Sequence, residues 1–294
     1  MSSSVSVSIG TNTAIAAAKA FGWFVTGSPT MFAETVHSLA DVANQVLLKI
    51  GEVRGRRGPD ALHPFGRGQE KFFWALVSAV SVFFVGCGLN IYHGIHAFLS
   101  RAPVEPFTPL VLWLLLFALA LESYTFVIAL REIGGWRNVV KNRNNTTVLA
   151  VLLEDAVALL GILLTLLVAG VSLAFGPRPL FDAIVAIAVG VLLGVMALFL
   201  AAINRRLLID ASDPVLEGAA RAFLSKAGVD AELRSIIVDD GRDVLFVHIR
   251  PGAGAPTAAE SRALGEALKT HARERVGKTL DEVYWRFPPG GAPQ

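Results

Sequence analysis

One cysteine, Cys87, occurs in 294 residues, and it lies inside an apolar run. A single thiol excludes a disulfide framework and any Cys-rich metal site. Charge is scarce too. Asp, Glu, Lys and Arg make up 17% of the chain, against about a quarter in ordinary soluble domains. The net charge of +2 is too small to argue for nucleic acid as a partner. There is no His-Glu-x-x-His pair and no nucleophile motif, so a non-enzyme is expected. Met1–Gly10 is Ser-rich and lacks a basic stretch, so no cleavable signal peptide is expected.

The chain is instead rich in apolar residues, at 53%, with a mean hydropathy of +0.56. Six apolar spans can be drawn, with approximate limits Thr11–Thr26, Thr30–Ile50, Phe72–Leu99, Phe107–Leu130, Thr146–Phe175 and Leu180–Ile203. About 20 residues cross the hydrocarbon of a bilayer. Lys19 interrupts the first span and is expected to snorkel toward an interface. A Gly27-Ser28-Pro29 turn separates it from the second. Basic residues gather in alternate loops. Lys49, Arg54, Arg56, Arg57, Arg67 and Lys71 follow span two, Arg131, Arg137, Lys141 and Arg143 follow span four, and Arg205 and Arg206 follow span six. The opposite loops hold only Arg101 and Arg178. The positive-inside rule then puts both termini in the cytoplasm, with the plasma membrane as the expected location.

Composition changes after Arg206. Asp213-Pro214 opens a helix to about Lys226, with Asp213 as N-cap. Arg234–Asp239 and Val244–Arg250 read as strands around an Asp240-Gly241 turn, Thr257–Arg275 as a helix and Glu282–Phe287 as a last strand. The predicted fold class is a polytopic α-helical membrane protein, six transmembrane helices with a small C-terminal α+β cytosolic domain. Expected bounds are 1–206 for the membrane domain, 207–288 for the α-β-β-α-β domain and 289–294 for a flexible tail.

Two acidic fragments lie within the spans: Glu34-x-x-His37-Ser38-x-x-Asp41, and Glu154-Asp155. Each charge in hydrocarbon costs roughly 2.5–3.5 kcal/mol on insertion scales, so such residues are functional candidates. On a helix Glu34, His37 and Asp41 fall within roughly 60° of arc, Asn44 continues the stripe, and Phe32, Val36 and Leu47 occupy the other side. Asp41 and Asp155 lie roughly 12 and 18 Å from the basic side, so one site made by spans two and five is feasible. A packing network of ion pairs would need a basic partner. Neither span carries Lys or Arg near these depths, so the carboxylates imply a missing cation, and imidazole with carboxylate is ligand chemistry for a divalent metal.

The run Ala33-Glu34-Thr35-Val36-His37-Ser38-Leu39-Ala40-Asp41, with Thr26-Gly27-Ser28 before it, resembles span two of the cation diffusion facilitators. So does His63-Pro64-Phe65-Gly66-x-Gly68-Gln69-Glu70-Lys71. The resemblance covers nearly the whole chain. It implies a homodimeric divalent-cation/proton antiporter in the bilayer, most often for zinc, expelling metal from the cytoplasm without an organic cofactor. It also implies His37, Asp41 and Asp155 as metal ligands. The family's partner to Asp155 falls on Val151, which cannot ligate. Glu154-Asp155 there is similar to the divergent branch of zinc transporter nine. Tetrahedral zinc takes four ligands, and water, Glu154, Glu34 or the intramembrane Glu122 are candidates for the fourth metal-binding or proton-coupling group. The carboxylate-rich set raises the odds of manganese or iron.

Other family positions are weaker. Asp60-x-x-His63 matches part of a peripheral loop metal site, but Arg67 holds its third position, and a loop-shaping role for His63 is preferred. His248 and His271 are isolated, and Arg286 and Pro288 stand where some relatives carry ligands, so cytosolic metal sensing is not expected. His93 and His96 near the outer end of span three are read as interfacial. Gly86-Cys87-Gly88 would permit close helix contact. The rival readings are a non-transporting scaffold of the same fold and a proton-coupled carrier of another solute.

Overall fold

The computed structural model describes residues 3–26, 29–100, 108–139, 146–176, 179–239, 241–250 and 256–288. The turn at Gly27-Ser28, the residue Asp240 and the tail 289–294 lie outside the described residues. The chain divides into two compact units, one of Met1–Val53 with Glu70–Arg205 and one of Arg54–Gln69 with Arg206–Gln294.

The first unit is helical. Its elements are α1 (Ser3–Thr26), α2 (Pro29–Gly55), α3 (Glu70–Ser81), a π-helical turn (Val82–Cys87), α4 (Gly88–Ser100), α5 (Pro109–Glu132), a short α6 (Trp136–Val139), α7 (Thr146–Phe175) and α8 (Pro179–Leu208). Four stretches among the described residues are long and apolar enough to cross a membrane: Glu70–Ser100, Pro109–Glu132, Thr147–Phe175 and Ala183–Leu208. At 24 and 27 residues, α1 and α2 are long enough as well, but they carry the polar side chains. Large apolar groups point outward, among them Trp113, Phe84 and Leu167, as lipid-facing helices require. The interior is filled by Leu48, Ala79, Ala129, Val148, Leu152 and Met196. Packing of α5 against α1 and α7, and of α3 against α7, brings the polar faces together.

Helix α1 starts at Ser3, earlier than the predicted Thr11. Two threonines just inside the predicted limit satisfy themselves. Thr11 Oγ1 donates to the carbonyls of Val7 (3.1 Å) and Ser8 (3.0 Å), and Thr13 Oγ1 donates to Ile9 (2.6 Å). Hydroxyls bonded back one turn can sit within a helix.

The expected close contact at Gly86-Cys87-Gly88 is made by the cysteine and not by its glycines: a Cβ on Gly194 of α8 would lie 2.9 Å from Cys87 Sγ. A Cβ on Gly86 would meet Leu193 Cδ1 at an ordinary 3.5 Å, and one on Gly88 would reach nothing nearer than 4.0 Å. Those glycines end the π-helical turn, where Asn90 Nδ2 donates to the Gly86 carbonyl at 2.7 Å. The tight approach is between α4 and α8. A Cβ on Gly94 would lie 2.6 Å from Ile187 Cγ1, and one on Gly190 would lie 2.8 Å from Ile91 Cγ1. Gly190→Leu should therefore cost about 1–3 kcal/mol or more by overpacking, read as a lower unfolding temperature of the detergent-solubilised protein.

The second unit comprises α9 (Pro214–Lys226), β1 (Ala231–Asp239), β2 (Arg242–Ile249), α10 (Ala258–Val276) and β3 (Thr279–Arg286). Strands β1 and β2 are antiparallel, β3 joins β2 in parallel, and α10 makes the crossover that a parallel pair needs. Leu216, Leu224, Leu245, Val247, Leu268 and Leu280 fill the space between helices and sheet. The Asp213 carboxylate accepts from the amides of Val215 (3.0 Å) and Leu216 (3.2 Å), and Thr257 and Glu260 form a capping box on α10. Strand β3 starts at Thr279, ahead of the predicted Glu282, because the Thr279 amide donates to the Gly241 carbonyl at 2.9 Å.

A buried ion cluster joins three elements of this unit. Lys278 lies between the carboxylates of Asp213 and Asp243, 3.3 Å from the latter. Asp243 is 0% exposed. Burial pushes its carboxyl up to about 6, even with the Lys278 ammonium opposing. Burial works the same way on Asp213, but Lys278 and the amides of Leu216 and Val215 outweigh it and hold that carboxyl below its usual range.

Residues 54–69 belong to this second unit. Phe65 meets Tyr284 edge-on at 6.4 Å, and Tyr284 stacks on Phe246 at 5.4 Å. Gly68 passes so close to β1 that a Cβ would lie 2.6 Å from Asp239 Cβ and from the Val238 carbonyl.

Candidate metal centre

Three helices supply the intramembrane candidates: α2 with Glu34, His37 and Asp41, α5 with Glu122, and α7 with Glu154 and Asp155. The side chains of Glu34 and His37 lie outside the described residues. The others converge. Asp155 is 1% exposed, Glu154 8% and Glu122 9%. The carboxylate of Asp41 is near enough to act on all three, and the Glu122 and Asp155 carboxyl groups are in contact. Thr125, one turn on from Glu122, also reaches Asp155.

The two adjacent acids of α7 have different surroundings. Asp155 Oδ2 is buried and has no hydrogen-bond partner. Glu154 is held on both oxygens. Asn44 Nδ2 donates to each at 3.0 Å, and Gln45 Nε2 donates to Oε2 at 2.5 Å. Ser78 Oγ in turn donates to Asn44 Oδ1 at 2.6 Å. Consecutive helical residues point about 100° apart, so one acid can face α5 while the other faces α2 and α3. Val151 is fully buried and apolar.

One cation approaches this cluster. Lys19 is half-buried on α1, and its charge acts on Glu122. Spans two and five lack a basic partner, but span one brings one near.

A buried carboxylate oxygen with no donor, beside further carboxylates, is an arrangement that a divalent cation stabilises. No three His, Cys, Asp or Glu side chains among the described residues converge closely enough to hold a metal by themselves. The described acids thus form a partial set, with Asp155 as its most buried member. Sequence reading missed Gln45, Ser78 and Thr125. The signal available was their spacing: Gln45 follows the polar stripe of α2, and Thr125 lies one turn from Glu122.

The remaining candidates lie apart. The Asp60 carboxylate accepts from the amides of Leu62 (2.9 Å) and His63 (2.8 Å), and from Arg67 (2.9 Å), with His63 Nδ1 at 3.0 Å. His63 and Arg67 hold its carboxyl well below the usual range. These donors occupy the oxygens that a metal would take. His93 and His96 are exposed on α4, flanking Tyr92 at 5.9 and 6.1 Å. His271 packs on Phe223 at 5.0 Å, and His248 lines a groove with Asp210, Glu217 and Arg234.

The family described as the cation efflux transmembrane domain matches residues 5–209. The chain is 36% identical over 206 residues to the proton-coupled zinc antiporter SLC30A9, mitochondrial, of Xenopus laevis, covering 66% of this chain and 36% of the relative. It is 34% identical over 195 residues to metal tolerance protein C4 of Arabidopsis thaliana, covering 64% of this chain and 42% of the relative. Magnetosome protein MamM of Paramagnetospirillum magneticum is 32% identical over 108 residues, 36% of this chain and 33% of that one. The matched region thus spans little more than a third of the frog relative's length. A match to the transmembrane domain over most of the chain, with buried acids gathered from α2, α5 and α7, makes this protein a member of the cation diffusion facilitator family, on its SLC30A9-like branch.

Proposed function

We propose that the chain is a divalent metal/proton antiporter, with zinc as its first substrate, carrying metal out of the cytoplasm. The observation that supports this most is the buried, donor-free Asp155 oxygen beside Glu122 and within reach of Asp41. The printed names of the frog and plant relatives support metal as the cargo. In this reading Asp155, Asp41 and His37 hold the ion. Glu122, in contact with Asp155, completes the set that the apolar Val151 leaves short. Glu154 stands outside the set because amides already occupy its oxygens.

Ligands must be deprotonated to bind metal, so protons and metal compete for the same groups. Protons entering from the far side displace the ion there, and the emptied site returns to accept another. The basic loops support cytoplasmic termini. The plasma membrane remains the proposed location, although the frog relative is named mitochondrial; a fluorescent fusion distinguishes the two. Family resemblance is the support for a homodimer. A second reading, manganese or iron as cargo, is favoured by one specific feature: three of the four proposed ligands, Asp41, Glu122 and Asp155, are carboxylates, and harder ligands suit those ions.

Purified protein in liposomes, with a metal-sensitive dye inside, tests the proposal. An imposed proton gradient should drive zinc uptake, and collapsing the gradient should stop it. Stoichiometric zinc binding with no flux at any pH would instead favour the scaffold reading.

A further inference from the structure

Glu154 lies beside the proposed metal ligands, yet its surroundings are those of a structural joint. Three N–H···O contacts from Asn44 and Gln45 hold its two oxygens, and Ser78 fixes Asn44 from the other side. The four side chains come from α2, α3 and α7, and all are buried. Asn44 and Gln45 follow Asp41 by one helical turn, toward the end of α2 that carries Arg54. Glu154 precedes Asp155 on α7, whose start follows the basic segment. This polar layer therefore lies between Asp155 and the basic loops. An ion coming from that side must part it.

We propose that Ser78, Asn44, Gln45 and Glu154 form a hydrogen-bonded latch that closes the transport path on the basic-loop side of Asp155. The proposal rests on the transporter reading above. The contacts present N–H donors to Glu154, which suits a held acceptor and not a metal ligand. Nothing in the latch requires charge. The Gln45 Oε1 atom is buried without a partner, so a rotated Gln45 amide can accept from an N–H at position 154. A glutamine at 154 can thus join the same network, whereas a leucine of similar size cannot.

That contrast supplies the test, made on the full chain in liposomes with zinc as the probe. Glu154→Gln should keep turnover within about threefold of the parent protein. Glu154→Leu should slow turnover about tenfold or more, because the closed state loses its contacts and the cycle stalls with the inner side open. Its KM for zinc on the basic-loop side should not rise, and equilibrium zinc binding should stay within about threefold. Gln45→Met, which keeps the shape of the side chain, should lower turnover in the same sense if Glu154→Leu fails to fold. The latch is overturned if Glu154→Gln is as inactive as Glu154→Leu, if Glu154→Gln binds less zinc per protomer, or if Glu154→Leu turns over normally. Asp155→Asn separates this failure from that of the site. Full zinc binding in that variant defeats the metal-centre reading, whatever the latch variants do.

Discussion

Asp155→Asn should lower zinc affinity about a hundredfold or more and abolish proton-driven uptake, while leaving the protein at least as stable as before. The two halves of that result come from one arrangement. Asp155 is the most buried acid among the described residues of the membrane unit, and one oxygen lacks any donor. Asp41 and Glu122 place further negative charge around it. An ion-free carboxylate there costs stability, through lost hydration and through repulsion. Asparagine keeps the shape, removes the charge and offers an N–H to its neighbours. A residue selected for packing would give the opposite pattern, with lower stability and intact binding. The comparison needs equilibrium zinc titration and thermal unfolding on the same detergent preparation. Intact affinity in Asp155→Asn would falsify the site.

The second large effect is expected in the other unit. Lys278→Met removes the cation between Asp213 and Asp243 and leaves two carboxylates close together, one fully buried. Breaking a buried ion pair from one side costs about 3–5 kcal/mol, a large share of a small domain's stability. The pH dependence has a definite sign. Burial raises the Asp243 carboxyl to about 6 in the folded state, above its ordinary 3.8. Between those values the folded state holds a proton that the unfolded state releases. The stability Asp243 contributes is therefore fullest below 3.8 and is lost as pH rises toward 6, about 3 kcal/mol in all. Asp213, held low, acts oppositely: its contribution is present above 3.8 and is lost as pH falls through its folded value. In Lys278→Met, Asp243 should take up its proton more readily still. The variant should then be hurt more at pH 8 than at pH 5. Adding Asp243→Asn should recover at least half of the loss. Hydrogen exchange of the β2 amides in the full chain reads both effects, and a Lys278→Met loss equal at the two pH values would contradict the account.

Much of this architecture can be read from local signals. Asp213-Pro214 marks the start of α9, and Thr257 with Glu260 caps α10, because a cap is decided within four residues. The pairing of α2 with α7 is visible as intramembrane acids at similar depth. Which neighbours each side chain meets is not legible in this way. Neighbouring acids at 154 and 155 look alike in sequence, and only the helices around α7 make one a held acceptor and the other an orphan. The glycines that matter for close approach, Gly94 and Gly190, are not the conspicuous pair around Cys87.

The π-helical turn at Val82–Cys87 has a consequence for how this span can move. A π-turn amounts to one residue inserted in an α-helix, and each residue advances the helix by 100°. Before it, α3 aims Ser78 at Asn44; after it, α4 aims Gly94 at Ile187. The extra residue sets the phase between those two faces. Deleting one residue from the turn would leave a regular α-helix with the two faces still in phase, whereas straightening the turn at constant length would rotate α4 by about 100° relative to α3 and carry Gly94 out of its notch. A switch between π-turn and regular helix at this point is therefore a rotation of α4 against α3.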